Sequence, residues 1–246
     1  MRRTRRGWVV VDVSDAHSKM SFVKNLSPAK PSRCARSARL AKVPTSPQVR
    51  GVWEGGTRSL KPKGSYWTDE ELLALGADTD VKYELCDGKI IAMPPAKPRH
   101  GAVIMQLSYY LGAHVYENKL GKLFDGQTGF RLSMEHCFEP DISYVSKERM
   151  DLILPAGGLD AMFHAAPDLA VEVLSPSDSI TKTERRMQLY LSYGARLAWM
   201  VDPKNKTVRV YLPGRGFELL RGDRMLTGNS VLPGFRVSLV KIFDGI

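Results

Sequence analysis

The run Pro167-Asp168-Leu169-Ala170-Val171-Glu172-Val173-Leu174-Ser175-Pro176-Ser177 constrains this chain more than any other stretch. A short apolar segment bounded by proline and serine predicts a buried strand, and a carboxylate inside it needs a positive partner or a metal. The segment Phe138-Glu139-Pro140-Asp141-Ile142-Ser143-Tyr144-Val145 has the same character, with Asp141 opening a β-type run. Two strands would each bring one carboxylate toward a common place, which makes Asp141 and Glu172 a candidate divalent-metal site. Read without a metal, Asp141 is a turn-forming residue after proline and Glu172 a buried ion-pair partner.

With 246 residues, 43% of them hydrophobic, the chain can bury one good core, and no apolar run approaches the ~20 residues of a membrane span. It reads as soluble, with no membrane partner. The net charge of +10 suggests a nucleic-acid partner, but residues 1–64 hold 15 Lys and Arg against Asp12, Asp15 and Glu54. The remainder, with 21 basic and 23 acidic groups, is close to neutral. Arg2, Arg3, Arg5, Arg6, Lys30, Arg33, Arg36, Arg39 and Lys42 among Ser, Pro and Ala predict a disordered basic extension. It reads as a non-specific phosphate-binding arm, as a spacer, or as an over-extended start with Met20 the initiator.

The early apolar run Trp8 to Val11 is too short for an export signal. Cys34, Cys86 and Cys137 are odd in number and widely spaced, which fits a reduced cytoplasm. His136 beside Cys137 has no second ligand pair at zinc spacing, so no zinc site is expected.

From Tyr66 the chain becomes patterned. Thr68-Asp69-Glu70-Glu71 predicts a capped short helix stopped near Gly76, and Tyr83 to Met93 a hairpin around Asp87-Gly88. His100 to Glu117 has helical spacing through Val103, Ile104, Leu107, Tyr110, Leu111 and Val115. Strand-like runs follow at Lys122 to Leu132, Asp141 to Val145 and Leu169 to Leu174. Thr181-Lys182-Thr183-Glu184 matches a capping box opening a helix that Gly194 ends. Leu197 to Asp202 and Thr207 to Leu212 complete an order of roughly β-β-α-β-β-β-α-β-β. The expectation is an α/β domain on a central mixed sheet flanked by helices. Trp199, Tyr190 and Tyr193 fall in apolar runs and read as core.

Tyr83-Glu84-Leu85 with Asp87-Gly88, Met93-Pro94-Pro95, His100-Gly101, Thr128 to Leu132, Pro140-Asp141-Ile142, Pro167 to Ser177, Trp199 to Pro203 and Leu232-Pro233-Gly234-Phe235 recur in one order. This pattern resembles the Uma-two family of restriction endonucleases, within the PD-(D/E)XK nuclease superfamily, over about Tyr66 to Phe243. The resemblance implies a restriction endonuclease-like domain at 65–246 after the extension at 1–64. It also implies a Mg²⁺- or Mn²⁺-dependent endonuclease acting on DNA in the cytoplasm.

The resemblance makes Asp141 and Glu172 the acidic metal ligands, with the backbone carbonyl of Val173 a further donor. The superfamily's lysine position is Leu174, and the helix position from which the family usually takes it, four residues before Tyr190, is Arg186. An arginine can stabilise phosphorane oxygens but cannot carry a proton. Lys182, one turn earlier on the same helix face, is the substitute. Without the resemblance, Lys182, Arg185 and Arg186 read as an exposed face. Glu84 matches a family position that orients a ligand water or completes the metal shell. His100 matches one that contacts phosphate or shuttles a proton, and otherwise reads as a polar helix flank. A homodimer is compatible with cutting both strands. The alternative function is a catalytically degenerate nucleic-acid-binding or interaction protein on the same fold.

Overall fold

In this computed structural model, residues 66–77 and 81–246 are described, and the basic extension lies outside them. Helix α1 (Asp69–Ala77) starts at a reciprocal cap: Thr68 N–H donates to Glu71 Oε2 at 2.8 Å and Glu71 N–H to Thr68 Oγ1 at 3.3 Å. Strands β1 (Lys82–Cys86) and β2 (Lys89–Met93) follow as a hairpin whose turn residues Asp87 and Gly88 have φ of 52° and 70°. Two successive positive φ values are what Asp-Gly tolerates and what the twist of paired strands requires.

Helix α2 (Pro98–Glu117) begins with proline at its first turn and buries His100, Val103, Leu107, Leu111 and Val115. The run at Lys122 to Leu132 is two strands, β3 (Gly121–Asp125) and β4 (Phe130–Ser133). The turn between them is held by Asp125 Oδ1, which accepts from Gln127 N–H and Thr128 Oγ1. Then come β5 (His136–Phe138), β6 (Ile142–Ser146), helix α3 (Lys147–Ile153) and β7 (Leu169–Val173). Helix α4 (Ile180–Ser192) leads into β8 (Leu197–Asp202) and β9 (Thr207–Tyr211). Strands β10 (Phe217–Arg221), β11 (Met225–Gly228) and β12 (Leu232–Ser238) and helix α5 (Leu239–Ile242) close the chain.

Among the described residues three sheets result: a four-stranded one ordered β2-β1-β5-β4, a six-stranded one ordered β10-β9-β8-β7-β6-β3, and the β11-β12 pair. In the large sheet β7 and β8 run parallel and the other neighbours antiparallel. Leu169, Val171 and Val173 of β7, with Leu197, Trp199 and Val201 of β8, pack with α2, α5 and β12. Ala170, Ala198 and Met200 pack on the opposite face with Met187 and Tyr190 of α4. This two-sided burial explains the near-continuous apolar reading of β7, and its period of two places Glu172 on the α4 face. Among the described residues, no helix is long and apolar enough to cross a membrane.

The capping box at Thr181 is corrected by the structure. Ser179 is the N-cap and accepts from Lys182 N–H, while Glu184 pairs with Arg209 of β9. The serine wins because the helix starts two residues earlier than the Thr181 match implies. The far end follows the sequence: Gly194, at φ 102°, and Ala195 donate to Leu191 and Tyr190 carbonyls, closing α4.

Candidate metal and phosphate site

The chain leaves the four-stranded sheet and enters the six-stranded one through Glu139-Pro140-Asp141, where proline has no N–H for either ladder. Ile142 faces Val171 across β6 and β7, so the next opposing pair outward is Asp141 and Glu172. Directly opposed residues point to one face with Cβ atoms about 5 Å apart. Asp141 is more than a turn former: its Oδ2 accepts the Val173 N–H at 2.8 Å and lies 3.2 Å from His100 Nε2. A carboxylate offers only lone pairs here, so Nε2 is the protonated ring nitrogen. His100 is therefore buried and engaged rather than a polar flank, and Asp141 holds it at a raised pKa against the lowering effect of burial.

Glu172 Oε1 accepts the Tyr190 hydroxyl at 2.8 Å and Arg186 Nη1 at 3.2 Å. The same guanidinium meets Glu84, with Nη2 2.6 Å from Oε2 and Nη1 3.2 Å from Oε1, and sits 5.1 Å above the Phe138 ring. Reading Arg186 as part of an exposed face is thus wrong. Its side chain is only 16% exposed, because the buried stripe of α4 carries it between two strand carboxylates. Arg185 is on the exposed side and forks onto Asp87 at the β1–β2 turn. Lys182 is exposed and makes no ion pair among the described residues.

Burial pushes the Glu172 carboxyl up, Asp141 and Glu84 add to the rise, and Arg186 pulls it back. Burial opposes the Arg186 charge, but the two carboxylates outweigh it and hold the guanidinium charged. Asp141 Oδ1 and Glu172 Oε2 accept no hydrogen bond among the described residues, and neither is sealed from solvent. One free anionic oxygen from each of two opposed strands fits a hard divalent cation. Val173 turns its side chain into the α2-side core and gives its N–H to Asp141.

Two residues join this cluster without having been singled out from the sequence. Lys82 Nζ donates to the Glu139 carbonyl at 2.7 Å and lies 3.6 Å from Glu139 Oε2 and 3.9 Å from Glu84 Oε1. Burial raises Glu139 to about 7, with Glu84 adding to the rise and Lys82 opposing it. The period of two along β1, which places Lys82 beside Glu84, was the signal for the first. Glu139 had none beyond its nearness to Pro140-Asp141.

His136 gathers not with Cys137 but with Cys86 and Asp87, their ligand atoms lying within 4.8 Å of one another. This trio fits a metal poorly. Asp87 N–H already donates to His136 Nδ1 at 3.2 Å, Arg185 occupies both Asp87 oxygens at 2.6 Å, and burial raises the Cys86 thiol.

A family model named Uma2 and described as "Putative restriction endonuclease" matches residues 69–240. A crystal structure from Anabaena variabilis ATCC 29413, described as a "putative nuclease belonging to DUF820", aligns with a TM-score of 0.64 at 27% identity. The alignment covers 72% of this chain and 97% of that one. No curated protein matches the sequence.

Proposed function

We propose that this chain, which belongs to the Uma2 family, is a metal-dependent endonuclease that hydrolyses DNA phosphodiester bonds. The observation that carries the reading is that Asp141 and Glu172 flank the last β6–β7 pair, Ile142–Val171, each keeping one oxygen free of hydrogen bonds among the described residues. Asp141, Glu172 and the Val173 carbonyl would hold Mg²⁺ or Mn²⁺. A bound divalent cation supplies Lewis-acid polarisation of a phosphodiester oxygen and a lowered pKa for an attacking water.

The chain's own residues set the frame for that chemistry. His100 and the Val173 N–H fix one Asp141 oxygen, which leaves the other aimed by default. Arg186 and Tyr190 fix Glu172 in the same manner, so Arg186 supports the transition state by holding a ligand. Glu84 anchors Arg186 from the other side. Lys182, exposed one turn before Arg186, is free to meet a phosphate oxygen. We assign catalysis to residues 65–246 and a sequence-independent, salt-sensitive DNA contact to the basic extension 1–64. Unpaired Cys86 and Cys137 support a cytoplasmic setting.

One observation favours a second reading, a nuclease fold that binds without cutting. Arg186 stands where the family takes its lysine and is consumed by two carboxylates. The discriminating experiment is cleavage of supercoiled plasmid and single-stranded DNA in Mg²⁺ or Mn²⁺, run beside calorimetric metal titration of the full chain. Cleavage and metal binding that both vanish in Asp141→Ala and Glu172→Ala support the enzyme. A gain of cleavage in Arg186→Lys identifies the helix position as the lysine site. Absence of metal binding and of cleavage in the parent and in Arg186→Lys sinks the enzyme in favour of the binding protein.

A further inference from the structure

Helix α2 buries one face and leaves the other without a partner among the described residues. Ala102, Met105, Tyr109, Ala113 and Tyr116 are all exposed, and the three large side chains retain 71%, 70% and 57% of their accessible surface. Their spacing keeps them on one narrow stripe about four turns long, in which no position is charged. An ordinary solvent-facing helix side alternates polar and charged residues, so this stripe calls for a cover.

The order of residues along the stripe says what kind of cover. Four positions before Tyr109 stands Met105 and four after it Ala113; seven before stands Ala102 and seven after it Tyr116. Each large side chain has a small one at the mirror position. If two copies of α2 meet antiparallel about a two-fold axis at Tyr109, Tyr116 falls over Ala102 of the other copy and Met105 over Ala113. Large against small is the alternation that lets two helices interdigitate.

The flanks agree with the stripe. Arg99 and Glu117 are exposed and make no ion pair among the described residues. They lie about 27 Å apart along their own helix, too far to pair with each other. Their angular offsets from Tyr109 are equal, since ten residues back and eight forward both fall about 80° to one side at 100° per residue. A two-fold antiparallel pairing therefore sets Arg99 of one copy beside Glu117 of the other, twice. We propose that this α2 stripe is a two-fold interface with a second copy of the chain. One pair of helix faces lies below the ~1,200 Å² of a standard stable interface, so the dimer is concentration-dependent.

The test is sedimentation equilibrium of the full chain across a concentration series, for the parent, Tyr109→Glu, Arg99→Glu and the swapped Arg99→Glu/Glu117→Arg. Circular dichroism of each variant checks that the fold is kept, which exposure of all three positions leads us to expect. The expected result is a monomer–dimer equilibrium lost in Tyr109→Glu, weakened about tenfold or more in Arg99→Glu and regained in the swap. A parent that stays monomeric throughout, as when residues 1–65 or DNA cover the stripe instead, overturns the proposal. So does a dimer that Tyr109→Glu leaves intact, or one that the charge reversal and its swap do not move.

Discussion

Consecutive arginines on α4 make similar hydrogen bonds in opposite surroundings, and Arg186→Ala measures what the surroundings are worth. The substitution leaves Glu84, whose side chain is 0% exposed, facing Glu172 without the cation between them. Removing one partner from a buried ion pair costs about 3–5 kcal/mol, and the lost stacking on Phe138 adds to it. The 16% exposure of Arg186 admits some water, so the lower end applies, about 3 kcal/mol. With an m-value of about 2 kcal/mol/M, the urea midpoint falls by about 1.5 M at constant slope. The deficit also has a sign in pH. Glu172 already titrates above its ordinary 4.5 because burial penalises its charge, and Arg186 is the group that lowers it. Without Arg186 its folded pKa climbs further, so stability is lost progressively as pH rises above about 4.5. Arg185→Ala removes a bidentate pair to Asp87 whose members are 59% and 42% exposed, and its midpoint should stay near the parent's. An Arg186→Ala shift no larger than that of Arg185→Ala, or a deficit that shrinks with rising pH, would refute burial as the source of the difference.

Asp141→Asn should lower the NMR titration midpoint of His100 from above 6.5 toward or below it, assigned against His100→Gln among the five histidines. Because the folded value is raised, the parent's advantage over Asp141→Asn from this bond is present below pH 6.5 and fades as pH rises through the folded midpoint. The glycines at the turns separate strain from crowding. A Cβ at Gly121 would lie 2.1 Å from the Val145 carbonyl oxygen at φ 154°, so Gly121→Ala should cost several-fold more than Gly88→Ala. Gly88, at φ 70° with open space around it, should cost about 1 kcal/mol by thermal or urea unfolding. Equal losses at the two sites would show that the β3 start relaxes freely.

What the sequence made legible is what local pattern controls. The Asp87-Gly88 turn, the Gly194 stop and the β7 and β8 runs appear in the structure nearly residue for residue, since turn chemistry and two-sided burial leave direct marks. Strand β5 has three residues and β11 four, β12 carries Pro233 and Gly234, and α3 and β10 bury almost nothing, so no period was long or clean enough to announce them. At the site, the sequence placed Asp141 and Glu172 on separate strands, but only the β6–β7 register, whose last pair is Ile142–Val171, brings the two carboxylates together at that end.

The fate of Arg186 could not be read at all, because an amphipathic helix pattern does not say which borderline position turns inward. Its position was fixed by Glu84 on a strand about a hundred residues away. The α2 stripe is the converse case. Apolar residues at Met105, Tyr109 and Tyr116 interleave with those at Val103, Leu107 and Leu111, so hydrophobic spacing alone supports either face as the buried one. The sheet selects the face of Leu107, and the second apolar face is left over. A leftover face of that size calls for a cover, and its large-small mirror order about Tyr109 matches another α2 better than it matches the Ser-, Pro- and Arg-rich sequence of residues 1–64.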